Sequence, residues 1–224
     1  MDTRKRLQDI PLFQGLSERV LEALSRRVLI GTYQPGETIL AETDPVRSFF
    51  VVLSGQVKLS KSSAEGREQT LYLLGPGEPF GLCTAFATSD FPAEVVALRK
   101  SDVLAIPGSA VDEIVMQEPG LLLNILRVLS RRLRESMSLV ESLALKDIPQ
   151  RVAAFIVALE RTGEEDDTIE LPVTHRELSK IVGSTPEALS RALRKLQDDG
   201  VLEVQGRSIA IFDRDALQAL AQGE

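Results

Sequence analysis

Residues 174–196 read Thr174-His175-Arg176-Glu177-Leu178-Ser179-Lys180-Ile181-Val182-Gly183-Ser184-Thr185-Pro186-Glu187-Ala188-Leu189-Ser190-Arg191-Ala192-Leu193-Arg194-Lys195-Leu196. Thr174 with Glu177 three residues on is a capping box, which predicts a short helix from there to Val182. Gly183-Ser184 turns the chain. Thr185-Pro186-Glu187 then opens a second helix, with a hydroxyl N-cap followed by proline at the first helical position, where its missing N–H costs nothing. Ala188, Leu189, Ala192, Leu193 and Leu196 recur at helical spacing and give this helix one apolar face. Two short helices joined by a glycine-containing turn make a helix-turn-helix.

Glu187, Ser190, Arg191, Arg194 and Lys195 recur at three- and four-residue steps on the opposite face. Laid in a major groove, Arg191 could donate a bidentate pair to guanine, Glu187 could accept from a cytosine amino group, and Ser190 is a small, permissive reader. Arg194 and Lys195, a turn later, suit phosphates, and Thr174, His175 and Thr185 at the helix starts are expected on the DNA backbone with them. The same face could also be ordinary solvated charge, with Glu187 and Arg191 an i,i+4 pair. The next residues weigh against that: Asp199-Gly200 ends the helix, and Val201–Val204 and Ser208–Phe212 flank Gln205-Gly206-Arg207 as a β-hairpin. This is the wing of a winged helix, with Arg207 at its tip near the DNA backbone.

Upstream, Leu122, Leu126, Leu129, Leu133, Ser136, Val140 and Leu143 are spaced 4, 3, 4, 3, 4 and 3, the seam of a coiled coil. The alternative is a helix packed on its own domain. Dimerisation is preferred because charged residues such as Arg127, Arg131, Arg132, Arg134 and Glu135 flank the seam. Asp147-Ile148-Pro149 reads as a hinge, since proline disfavours helical geometry at Ile148 and can start the next helix, Gln150 to Arg161. The acidic run Gly163–Asp167 reads as a solvated turn. Residues 149–224 hold nine Lys and Arg against fourteen Asp and Glu, net −5, so binding to DNA here must rest on dimerisation and a few well-placed cations.

Before the long helix the texture is β. Phe49–Leu53, Gln56–Ser60, Thr70–Leu74, Glu94–Leu98 and Val103–Ile106 are short apolar runs between Gln34-Pro35-Gly36, Ser54-Gly55, Glu65-Gly66 and Gly75-Pro76-Gly77 turns, which suits an antiparallel barrel or sandwich of short strands from Tyr33 to about Pro107. Residues 4–30 read as short helices forming a lid or collar. The 224 residues carry 33 acidic and 26 basic side chains, net −7, one cysteine and one histidine. That balance is wrong for a protein that coats nucleic acid by bulk charge, and a lone Cys83 makes neither a disulfide nor a zinc or iron–sulfur site. Paired carboxylates, a nucleophile with its base and a phosphate-cradling loop are not found, so an enzyme is not expected. Without an apolar run of about 20 residues or signal-peptide pattern, no membrane association is expected and the chain reads as cytoplasmic.

These residues resemble the CRP/FNR family of bacterial transcription regulators over nearly the whole chain. The barrel half carries Pro35-Gly36-Glu37, Ser54-Gly55-Gln56-Val57 and Gly75-Pro76-Gly77-Glu78-Pro79-Phe80-Gly81; the C-terminal half carries Ile181–Arg191, with Glu187, Ser190 and Arg191 in the pattern Glu-x-x-Ser-Arg of the FNR subgroup. The resemblance implies an α+β architecture: a cyclic-nucleotide-binding-like antiparallel β-barrel of jelly-roll type over 1–110, a dimerisation helix over 111–147, and a winged helix-turn-helix over 148–224. It implies a homodimer that binds double-stranded DNA at TTGAT-like inverted repeats, with recognition helices one DNA turn, roughly 34 Å, apart, and that works with RNA polymerase under control of a small-molecule effector.

The barrel departs from the cyclic-AMP pattern. Where those proteins hold the ribose with Phe-Gly-Glu and the phosphate with Arg-Ser-Ala, this chain has Phe80-Gly81-Leu82 and Phe91-Pro92-Ala93. A buried phosphate would lack its arginine, so an effector other than cyclic AMP is expected. The single cysteine also departs from the cysteine set of an iron–sulfur oxygen sensor. What remains is an effector pocket expected at Phe80, Leu82, Cys83, Phe86 and Phe91. It resembles nitric-oxide-responsive and haem-dependent members, with Cys83 in the loop that carries haem ligands in the carbon-monoxide sensor. The Cys83 thiolate, Tyr33, Tyr72, a methionine or the N-terminal amine are its candidate haem ligands; a small buried hydrophobe is the plainer reading of Cys83. An effector-independent regulator is the alternative if the phenylalanines fill the pocket themselves.

Overall fold

The computed structural model describes residues 3–86, 90–160 and 168–223. Their contacts group them into two compact units, one running to Gly66 and from Leu71 to Glu135, the other formed by Arg67–Thr70 and Ser136 onward.

The first unit opens with α1 (Thr3–Gln8), a 3-10 turn at Pro11–Phe13 and α2 (Glu18–Ser25). Ser17 precedes α2, and its N–H donates to the Glu118 carboxylate at 3.0 Å. Eight strands follow: β1 (Leu29–Tyr33), β2 (Thr38–Leu40), β3 (Ser48–Ser54), β4 (Val57–Ser62), β5 (Glu68–Leu74), β6 (Pro79–Phe80), β7 (Glu94–Ala97) and β8 (Ser101–Pro107), with α3 (Leu82–Phe86) between β6 and β7. They form two four-stranded sheets in the orders β1-β8-β3-β6 and β2-β7-β4-β5. β1, β2 and β6 were not among the runs expected as strands: β1 is an edge strand with Leu29 and Ile30 exposed, and β6 is two residues long.

β3 shows why the runs are continuously apolar. Its odd residues Phe49 and Val51 enter a cluster with Leu7, Phe13, Leu21, Leu104 and Ile106 beneath the N-terminal helices. Its even residues Phe50 and Val52 enter the barrel interior with Leu40, Val57, Leu74, Phe91, Val95 and Val103. A strand buried on both faces gains nothing from polar alternation.

After β8 come α4 (Gly108–Gln117) and α5 (Gly120–Leu145), separated at Pro119 as the sequence indicates. Leu121 and Ile125 of α5 join the cluster beneath the N-terminal helices, so one face of α5 packs on its own unit. The seam lies on a different face: Leu122, Leu126, Leu129, Leu133 and Val140 are each 41–66% exposed. Among the described residues no helix is long and apolar enough to cross a membrane.

The second unit contains α6 (Ile148–Glu160), β9 (Thr168–Glu170), α7 (His175–Ile181), α8 (Pro186–Asp198), β10 (Leu202–Gln205), β11 (Ser208–Ile211) and α9 (Arg214–Gln222). α6 starts two residues before the expected Gln150. Asp147 is the reason: its carboxylate accepts from the Gln150 N–H at 2.9 Å, and the Gln150 side chain accepts from the Asp147 N–H at 3.0 Å, a reciprocal capping box. The wing is three-stranded, in the order β10-β11-β9, and β9 and α9 were not anticipated. The acidic run Gly163–Asp167 lies outside the described residues.

Candidate nucleic-acid interface and sensor barrel

The helix-turn-helix is built by two hydroxyl caps. Thr174 Oγ1 accepts from the Glu177 N–H at 3.3 Å to start α7, which ends one residue short of the expected Val182. Thr185 Oγ1 accepts from the Ala188 N–H at 3.3 Å to start α8, with Pro186 at its first position. Between them Gly183 takes φ +63°, a conformation that strains any side chain, and Ser184 N–H closes the turn on the Ser179 carbonyl at 2.8 Å.

α8 divides by burial as its sequence does. Leu189, Ala192, Leu193 and Leu196 are buried, while Glu187, Ser190, Arg191, Arg194 and Lys195 are exposed on the other face. Thr174, His175 and Thr185 are exposed at the two helix starts. The Glu187 carboxyl is held below the usual carboxylate range, chiefly by a hydrogen bond from its own backbone N–H, then by the Thr185 hydroxyl, with Arg191 adding charge attraction. The carboxylate therefore stands at the positive end of α8 as an acceptor.

At the wing, Gly206 makes the tight turn and Arg207 is exposed beside it. Its Nε lies 3.3 Å from the Glu170 carboxylate on β9, so this cation already has a partner within the protein.

One side chain that sequence reading passed over positions this element. Arg151, in the first turn of α6, donates Nε to the Lys146 carbonyl at 2.9 Å, Nη2 to the Leu143 carbonyl at 3.0 Å and Nη1 to the Val182 carbonyl at 3.2 Å. It satisfies carbonyls at the end of α5 that have no helical partner and ties them to the turn of the helix-turn-helix. No periodicity marks such a residue; its nearness to the Asp147–Pro149 break is the one signal the sequence offers.

In the barrel, the five residues expected to bound a pocket do not share one surrounding. Phe80 and Phe91 are together in the interior cluster, where the Phe80 ring stacks on Phe50, its partner across β3 and β6, at 5.2 Å between centroids. Leu82 belongs to the other cluster, beneath the N-terminal helices. Cys83 is exposed, which corrects the small buried hydrophobe as its plainer reading. The Phe86 side chain lies outside the described residues. On the side of the barrel that meets α5, a polar network stands instead: Arg132 lies over the Tyr72 ring at 4.8 Å, the Tyr72 hydroxyl donates to the Arg132 carbonyl at 3.1 Å, and the Arg132 guanidinium pairs with Glu78 at 3.0 Å and Glu135 at 2.8 Å.

Residues 30–118 match the family described as cyclic nucleotide-binding domain, and residues 150–220 the Crp-like helix-turn-helix domain. The cyclic AMP receptor protein of Thermus thermophilus is 31% identical over 217 residues, covering 95% of this chain and 97% of the relative. The chain belongs to the CRP/FNR family of transcription regulators. As a member of that effector-responsive family it is a DNA-binding regulator of transcription and not an enzyme. A second CRP/FNR relative, the transcriptional activator protein FnrA of Stutzerimonas stutzeri, is 30% identical over 192 residues, 84% of this chain and 78% of its own. The structure of FixK2 from Bradyrhizobium japonicum superposes with a TM-score of 0.76 at 25% identity, covering 86% of this chain and 96% of that one.

Proposed function

We propose that this CRP/FNR regulator is a cytoplasmic homodimer that reads TTGAT-like inverted repeats with Glu187, Ser190 and Arg191. Thr174, His175, Thr185, Arg194, Lys195 and Arg207 meet the DNA backbone, and RNA polymerase is the partner at the promoter. The observation that carries this reading is α8 itself: capped, buried on one face, with a guanine-type donor and a cytosine-type acceptor one turn apart on the exposed face. The exposed Leu122-to-Val140 seam supports pairing through α5, because that much apolar surface on one helix calls for a partner.

The sensed molecule is a small effector other than cyclic AMP, although a relative carries that name. Phe91 stands where an arginine would be needed and is 2% exposed inside the barrel, so a cyclic phosphate would be desolvated there without compensating charge. Haem with nitric oxide, in response to nitrosative stress, is the effector reading, with the exposed Cys83 thiol as an accessible ligand. A second reading, effector-independent regulation, is favoured by the packing of Phe50, Phe80 and Phe91 in the interior cluster.

The test is fluorescence anisotropy of an inverted TTGAT repeat and a scrambled duplex with purified dimer, alone and with cyclic AMP, haem, or haem with nitric oxide. Tight binding to the repeat only with haem and nitric oxide establishes the gas-sensing reading. Equal, sequence-specific binding in all four states establishes the effector-independent one. Equal affinity for repeat and scrambled duplex in every state sinks the assignment of the reading residues.

A further inference from the structure

Arg127, Arg131 and Arg134 follow one another on α5 at steps of four and three, so their side chains stand in one column. By the helical step of about 100° per residue the column lies roughly 150° around α5 from the centre of the seam, which corrects the expectation that these three arginines flank it and leaves the column open when two seams pair. The three guanidinium groups line a groove of 580 Å³ whose opposite wall is Pro11 and the Pro76–Pro79 turn. That volume falls within the roughly 300–1,000 Å³ of small-molecule sites. Like charges at these spacings repel, so the column works against the helix, and on a chain of net −7 it is a local concentration of cations.

Two features separate the groove from a solvated basic face. Two of its cations are held in place: the Asn124 amide donates to the Leu12 and Gln14 carbonyls at 3.1 and 3.0 Å, which aims its Oδ1 to accept from Arg127 Nη1 at 2.8 Å, and Arg131 lies 3.7 Å from both Glu78 and Glu135. They are also undercompensated. Among the described residues neither Arg127 nor Arg134 meets a carboxylate, and the one carboxylate lining the groove, Glu78, is already bound by Arg132 at 3.0 Å.

We propose that this groove binds a small ligand carrying a diphosphate, with Arg127, Arg131 and Arg134 donating to its phosphate oxygens and Pro11, Pro76 and Val128 walling the remainder. Guanidinium groups match phosphate oxygens bidentately. The outer two are seven residues apart, about 10 Å along the axis, a span that suits two linked phosphates with Arg131 between them better than one. Such a ligand would take Arg131 from Glu78, leaving Glu78 to Arg132.

Isothermal titration of the full-length dimer with inorganic pyrophosphate, ADP and adenosine tests this, alongside the Arg127→Ala/Arg134→Ala double variant. Both diphosphates bind, adenosine does not, and the variant loses at least tenfold in affinity for both while its melting temperature and dimer mass are unchanged. ADP binding tighter than pyrophosphate identifies a nucleotide as the source of the diphosphate; equal affinity identifies the inorganic ion. Absence of binding, undiminished binding in the variant, adenosine binding as well as ADP, or a signal that sodium chloride of equal ionic strength abolishes completely, each overturns the proposal.

Discussion

Glu187 would serve a DNA reader only as an anion, and its carboxyl is held below the usual carboxylate range by its own backbone N–H first, then Thr185, with Arg191 adding charge attraction. With a folded pKa below the unfolded value of about 4.3, the stabilisation it gives α8 is present above that pH and is lost as pH falls through the lower folded value. A carbon-detected NMR titration of Glu187 should therefore give a midpoint below that of a model glutamate; a midpoint at or above it removes the preorganised acceptor. Arg191 is the other half of the proposed base reading. Arg191→Ala should cost about 1–3 kcal/mol of discrimination at the guanine of each half-site while leaving affinity for scrambled DNA nearly constant, measured by competition with single-base operator variants. Arg194→Ala should behave oppositely, weakening all sequences alike and lowering the salt slope by about one for each phosphate it no longer neutralises. Between the helices, Gly183→Ala places a Cβ 2.6 Å from Leu143 Cδ2, which Leu143 can relieve by turning, but the positive φ remains. The expected loss is about 1–2 kcal/mol in urea unfolding.

At the scale of elements, the clearest prediction concerns Arg151, whose guanidinium holds three carbonyls at the α5 end and the helix-turn-helix turn. Arg151→Met keeps the apolar stem and removes every donor, so a loss of roughly 2–4 kcal/mol is expected from charged hydrogen bonds worth about 1.5–3 kcal/mol each that water partly replaces. Calorimetry showing no change would mean that water replaces the clasp fully. Elements were legible from sequence where a local rule made them. The caps at Thr174 and Thr185, the turn at Gly183 and the break at Pro119 each depend on residues within a few positions, and they stand where the sequence indicated. β9 was illegible because three residues, Thr168–Glu170, become a strand only by pairing with Ser208–Ala210 some forty positions later. α9 had its signals, with Asp213 accepting from the Ala216 N–H and Gly223 ending the helix at positive φ, but they lie beyond the wing where the motif seemed complete. The candidate pocket was less legible than the reading helix. Period-2 alternation sends Phe80 inward, yet no sequence rule places Leu82 in a different cluster once α3 turns the chain.

For the whole molecule the decisive quantity is the charge of the reading half, net −5 over residues 149–224. Counterion release scales with the phosphates neutralised, and each half offers only a few exposed cations, of which Arg207 already faces Glu170. One half-site should therefore bind weakly. Joining two halves through the α5 seam makes the second contact intramolecular, at an effective concentration set by the joint, and overall affinity can then exceed that of one half by 10²–10⁴. This gain exists only while both α8 helices reach the same face of the duplex. Inserting five base pairs at the centre of the repeat rotates one half-site by about half of a 10–10.5 bp turn and should reduce affinity to that of a single half-site, whereas inserting ten restores the facing but lengthens the span. Leu133→Asp, in the exposed seam, should reach the same low affinity by producing monomers, and anisotropy paired with light scattering would record both losses together. If the monomeric variant held full affinity, or the five-base-pair insertion had no effect, recognition would reside in a single half, and the seam would serve some purpose other than bringing two reading helices to one operator.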